Sequence, residues 1–139
     1  MAQVTAGTAT ARPRAQETQD ALVRFFKGLG NAGRLRVLEA LRQGELCVSD
    51  VVAQTALPQA QVSTALSCLR WCGFVDARQD GRRVYYRIAS ERVGEILRLA
   101  ELMVSDHAQH LYSCVVLGEE QEQERQFAKA DLHEEDLEE

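Results

Sequence analysis

Two of the four cysteines, Cys68 and Cys72, stand four residues apart in a stretch whose apolar spacing predicts a helix over residues 59–72. Side chains at i and i+4 share one helix face, with Cβ atoms about 5–6 Å apart. Two sulfurs at that separation can grip one ion. Thiolates are soft ligands, which favours cadmium, lead, mercury or zinc over magnesium or calcium. The competing reading is two small apolar side chains packed in a core, and the metal-ligand spacing weighs against it. A disulfide between the two is disfavoured, because i, i+4 side chains on an intact helix rarely reach its geometry. Two sulfurs leave an ion open to a further donor, and Cys114, at the end of the last predicted helix, is the candidate. His110 stands four residues before Cys114 and is an auxiliary candidate, whereas His133 lies in an acidic stretch and reads as solvated. Trp71, beside Cys72, reads as structural, with a fluorescence that could report on an ion bound there.

These side chains need a scaffold, and the pattern supplies one. A first helix is expected over residues 20–29, with Leu22, Val23, Phe25, Phe26 and Leu29 apolar, and a second over 33–42, stopped by Gly44. Residues 49–55 read as a short third helix beginning near Cys47 or Ser49. Pro58 then opens the cysteine-bearing fourth helix, where its missing N–H costs nothing. The period next changes to that of strands over 74–78 and 83–88, with Asp80-Gly81 as a hairpin turn. A long helix follows over 91–112. Its apolar set, Val93, Ile96, Leu97, Leu99, Ala100, Leu102, Met103 and Val104, is wider than one small core needs and implies a partner helix. The fold class is therefore mainly α with a β-hairpin wing, a winged helix-turn-helix. The expected organisation is a flexible tail over 1–19, the DNA-binding and dimerisation domain over 20–117, and an acidic, disordered tail over 118–139.

Charge agrees with this division. The chain carries a net −5, but residues 118–139 hold ten acids against two bases, so the rest is mildly basic. That body can meet nucleic acid. Gln59, Gln61, Ser63 and Thr64 open the fourth helix and are of a size to reach base edges in a major groove. The wing offers Arg78, Arg82, Arg83 and Arg87 for phosphates or the minor groove, with Arg82 and Arg83 the main candidates. No glycine-rich phosphate loop, His-Glu-x-x-His motif or credible triad is present, so an enzyme with a small-molecule substrate is not expected. Nor does any apolar run approach the roughly 20 residues that span a membrane. The N-terminal stretch has no apolar h-region, so a secretory signal is not expected, and the expected compartment is the cytoplasm, where thiols stay reduced.

The segments GRLRVLEALRQGELCVSDVV, VSTALSCLRWCGFV and DGRRVYYRIA resemble the ArsR/SmtB family of metal-responsive repressors over residues 29–89. The resemblance implies a homodimer joined through the first and last helices. It also implies an apo form bound to an inverted-repeat operator and released by metal. Pro58 and Ala65 depart from the family pattern, which bears on operator sequence. The stretch LSCLRWCGF resembles the CmtR-type cadmium/lead sensors within that family, in which a matching pair is completed by a C-terminal cysteine of the other subunit. This carries over to Cys68 and Cys72 of one subunit with Cys114 of its partner, and it ranks cadmium and lead ahead of mercury, arsenite or zinc. Cys47 falls where some members carry a Cys-x-Cys pair, but the second position here is Ser49, so Cys47 is a secondary candidate. Of the family's zinc site on the last helix, Asp106, His107 and His110 supply one half. The other half would fall near Gly94 and Ile96, which cannot ligate. The alternative within the same fold is a repressor that senses oxidant or persulfide through its cysteines; a protein-interaction module built on the acidic tail is a third option.

Overall fold

The computed structural model describes residues 14–135. Along the chain run α1 (Ala15–Leu29), α2 (Ala32–Leu41), β1 (Leu46–Cys47), α3 (Val48–Thr55), α4 (Gln59–Trp71), β2 (Val75–Asp80), β3 (Arg83–Ile88), α5 (Glu91–Tyr112) and α6 (Val115–Glu135). They fall into two compact units divided between Gly94 and Glu95.

In the first unit, α2, α3 and α4 turn one apolar face each inward. Val37, Leu38, Val51, Val62, Leu66, Leu69 and Val75 are fully buried there, and no polar or charged side chain among the described residues is buried with them. Asn31 starts α2 by accepting the Arg34 N–H on its side chain (3.0 Å). Between α3 and α4 the chain turns in three residues. Ala56 takes a left-handed conformation (φ 58) and ends α3, and Pro58 then opens α4 as the pattern predicts. This is the helix-turn-helix. The sheet has the order β1-β3-β2, antiparallel throughout.

Four local features differ from expectation. The first helix begins at Ala15, not Asp20, because the Glu17 carboxylate accepts the Arg14 N–H (3.0 Å) and closes the first turn. The hairpin turn is one residue later than expected. Asp80 pairs with Arg83, leaving Gly81 and Arg82 as the loop. Gly81 alone has positive φ (63°), the mark of a II′ turn. The third strand, β1, has no counterpart in the sequence pattern. Its two residues fill the free edge of β3, Leu46 opposite Tyr86 and Cys47 opposite Tyr85.

The fourth difference is in the second unit. Residues 118–135, expected to be disordered, are helical within α6. Beyond Gly118 that stretch has no glycine or proline and is rich in Glu, Gln, Ala, Lys and Arg, all strong helix formers. The expectations for residues 1–13 and 136–139 lie outside the described residues. The long α5 runs as predicted but carries a kink at His107 (φ −131, ψ 22). Leu99, Leu102, Met103 and Val104 on α5, like Leu22, Val23 and Phe26 on α1, are exposed. Among the described residues, no helix is long and apolar enough to cross a membrane.

Candidate metal centre and nucleic-acid interface

The cysteine pair sits at the C-terminal end of α4. Cys72 is its cap residue, and its N–H donates to the Cys68 carbonyl (2.9 Å), so the i, i+4 relation holds in true helical geometry. Cys68 is half-buried and Cys72 exposed, but the Cys72 sulfur faces α1. A Cβ built on Gly28 would lie 3.9 Å from that sulfur and 2.9 Å from Phe74 Cε2. Glycine at 28 is thus what lets α1 approach so closely. Phe74 is buried and packs edge-on against Phe25 of α1 (5.0 Å between centroids).

Arg34 closes the same corner. Its Nε donates to the Gly28 carbonyl (2.7 Å) and its Nη2 to that of Lys27 (2.9 Å), satisfying two carbonyls that the end of α1 leaves without helical partners. Partial burial, and after it the neighbouring Cys68 thiol, push the Cys72 thiol above its usual 9.0; the Arg34 charge pulls the other way. Making a thiolate here therefore requires a driving force, which a bound metal ion would supply. Two soft sulfurs on one helix face suit a thiophilic ion. Among the described residues, no group of three or more His, Cys, Asp or Glu side chains gathers within the single chain.

The other candidates differ. Cys114, placed by its sequence at the end of the last helix, is half-buried in the short break between α5 and α6, where its carbonyl accepts the Gly118 N–H (3.2 Å). His110 lies on α5 with its ring 6.2 Å from that of His107. Cys47 is buried at the start of α3, where its thiol donates to Asp50 Oδ2 (3.0 Å) and lies 3.1 Å from Ser49 Oγ. Asp50 also accepts the Cys47 N–H (3.4 Å). These bonds hold the Asp50 carboxyl below its usual 3.8, with a smaller contribution from Arg83. Cys47 thus acts as part of a helix cap.

The other end of α4 faces solvent. Gln59, Ser63 and Thr64 are exposed, whereas Gln61 is half-buried and Ala65 is buried in the core. Toward the cysteines, Ser67, Arg70 and Trp71 line an open cleft of about 380 Å³ with Tyr86 of β3. Trp71 is 89 % exposed and is the chain's single tryptophan, so an adjacent ion would alter its emission.

Not all of the wing arginines are free for DNA. Arg78 is bound by Glu45 and lies near Asp80, and Arg87 lies 3.9 Å from Asp76. Arg82 and Arg83, at the tip, form no salt bridge among the described residues. Glu45 and Arg34 carry no signal in the local pattern, because each acts on a partner distant along the chain or on backbone carbonyls.

Comparisons with known proteins agree with this architecture. Residues 31–77 match the profile described as "Bacterial regulatory protein, arsR family". Over 104 residues the chain is 36 % identical to a probable mercury resistance operon repressor of Streptomyces lividans, covering 75 % of this chain and 83 % of that protein. It is 37 % identical over 79 residues to the HTH-type transcriptional regulator CmtR of Mycobacterium bovis, covering 57 % and 67 %. A solved homodimeric winged helix-turn-helix DNA-binding domain, Mb0332 of Mycobacterium bovis, superposes with a TM-score of 0.64 at 34 % identity, covering 74 % of this chain and 95 % of that one.

Proposed function

The chain belongs to the arsR family of bacterial regulatory proteins, DNA-binding regulators rather than enzymes, and from that premise we propose that it is a homodimeric cytoplasmic repressor released from its operator by a thiophilic metal ion. The observation that carries this reading is the placement of Cys68 and Cys72 on the helix that also presents Gln59, Ser63 and Thr64 to solvent. An ion held at one end of α4 acts on the element that reads bases at the other. Gln59 can pair with adenine, Ser63 and Thr64 with either base type, and Arg82 and Arg83 hold the backbone. Gln61 contributes less because it is half-buried.

Cys68 and Cys72 are the first two ligands in this reading, and the partner subunit's Cys114 is the third. The exposed apolar faces of α1 and α5 supply the dimer contacts. Cadmium and lead are the first candidates, on the resemblance of the cysteine segment. A second reading, mercury, is favoured by the mercury resistance operon repressor among the relatives. The genes controlled would be metal-resistance genes.

The test titrates reduced, metal-free protein with cadmium, following thiolate-to-metal absorption, Trp71 emission and operator binding together. Cys68→Ser, Cys72→Ser and Cys114→Ser run beside it. Binding at one ion per subunit, loss of DNA and failure of all three variants support the reading. If Cys114→Ser responds like the parent, the third ligand is His110 or Cys47. If no thiolate band forms while oxidant releases the DNA, the protein is a redox repressor instead.

A further inference from the structure

Arg78 makes the most elaborate side-chain contacts of the wing, reaching the body of the domain at Glu45 as well as Tyr85 and Asp80 within the wing. From β2 its Nε and Nη2 donate to the two carboxylate oxygens of Glu45 (2.8 and 2.6 Å). The guanidinium carbon lies 4.9 Å from the ring centroid of Tyr85, the residue directly opposite Arg78 on β3. Glu45 immediately precedes β1, which pairs with the other edge of β3. One side chain therefore spans the sheet, from β2 across β3 to the segment that leads into α3.

We propose that the Arg78–Glu45 pair, stacked on Tyr85, is a positioning clamp that fixes the wing and so aims Arg82 and Arg83 at DNA. The clamp rests on the DNA-binding reading above. A two-residue β1 is a weak anchor, and an isolated hairpin is marginal in water. The flat guanidinium fork matches a carboxylate with two parallel bonds and stacks on an aromatic face, which a lysine would do poorly. Each partner favours the other's charged form, Glu45 lowered and Arg78 raised, the paired hydrogen bond being the largest cause for both. Exposed ion pairs add little to global stability, so the consequence of this one is orientation.

Charge alone predicts the opposite behaviour, which makes the clamp testable. Glu45 is an acid on a surface expected to face phosphates, and removing it should tighten DNA binding if only electrostatics counts. The clamp predicts weakening. The probe is a duplex selected by the parent protein from a random-sequence pool. Glu45→Ala and Arg78→Lys should each bind it about three- to five-fold more weakly, with an unchanged thermal midpoint. Arg82→Ala should cost less affinity in the Glu45→Ala background than in the parent, because a wing that is no longer aimed has less to lose. Amide exchange in β3, measured without DNA, should quicken in Glu45→Ala. Tighter or unchanged binding by Glu45→Ala, a harmless Arg78→Lys, additive losses, or unchanged exchange would each overturn the clamp. A parent protein that selects no duplex overturns the DNA-binding reading instead, and the exchange measurement then decides the clamp by itself.

Discussion

Replacing Arg34 with methionine keeps the aliphatic stem of the side chain and removes the two charged hydrogen bonds to the last turn of α1, at 2.7 and 2.9 Å. A hydrogen bond involving a charged group contributes about 1.5–3 kcal/mol when its partner would otherwise be stranded. Here the group is half-buried, and water can reach part of the site, so about 2 kcal/mol for the pair is the reasonable figure. For a chain of this size that lowers Tm by about 6–8 °C. The comparison must be made at one protein concentration, since a dimer's midpoint moves with concentration. The same change removes the cation that favours the Cys72 thiolate, so cadmium affinity at neutral pH should also fall. Arg36→Met, exposed on the same helix, is the control for removal of one surface charge. The assay is thermal unfolding beside a cadmium titration of both variants. If Arg34→Met matches Arg36→Met in both, water satisfies the carbonyls of α1, and Arg34 has no hold on the thiol corner.

Leu66 is 1 % exposed on α4; Leu66→Ala should cost about 3–5 kcal/mol in urea unfolding, from reduced burial and the cavity left behind. The depressed pKa of Asp50 fixes the sign of a pH effect. A carboxyl whose folded pKa lies below its unfolded value contributes stability that is complete above the unfolded value and is lost as pH falls through the folded one. Asp50→Asn should therefore lower Tm near neutrality and flatten the decline of Tm with acid below about pH 4. A parallel shift of the whole curve would count against that account.

The positions of α2, α4 and β3 were legible in the sequence, because their apolar residues keep a clean period and proline or glycine marks the helix ends, whereas β2 runs two residues further than its apolar pattern because Gln79 and Asp80 pair with β3. The i, i+4 cysteine pair was legible for the same reason. Elements set by tertiary contact were not. Two residues of β1 have no period to read; they are a strand only because β3 offers them an edge. Acidic composition points to disorder from Gly118 onward, while the helix propensity of the same residues points the other way and prevails as far as Glu135. Gln61 reads as a base contact by its position near the start of α4, yet the helix rotation that buries Val62 and Ala65 leaves it half-covered. Arg78 looks free for phosphate in the sequence because Glu45, 33 residues away, is invisible to local pattern.

In the metal-gated repressor proposed above, the position of the two thiols makes α4, rather than α3, the seat of the switch. α4 has 13 residues, so it is about 20 Å long, and a tilt of about 10° about its cysteine end would carry Gln59 through about 3 Å. Hydrogen bonds to base edges tolerate only a few tenths of an ångström. Each base left unread costs about 1–3 kcal/mol, which is the size of an ordinary coupling free energy between two sites. The Cys72 sulfur already abuts α1 at Gly28, so an ion there would tie the reading helix to a helix with an exposed apolar face. Cys47 offers no such lever. Its thiol is buried and engaged with Asp50, and an ion at that point would first have to break the cap of α3 and the pairing of β1. Cys47→Ser should accordingly leave metal-dependent release of DNA intact, and failure of the response in that variant would move the switch from α4 to α3.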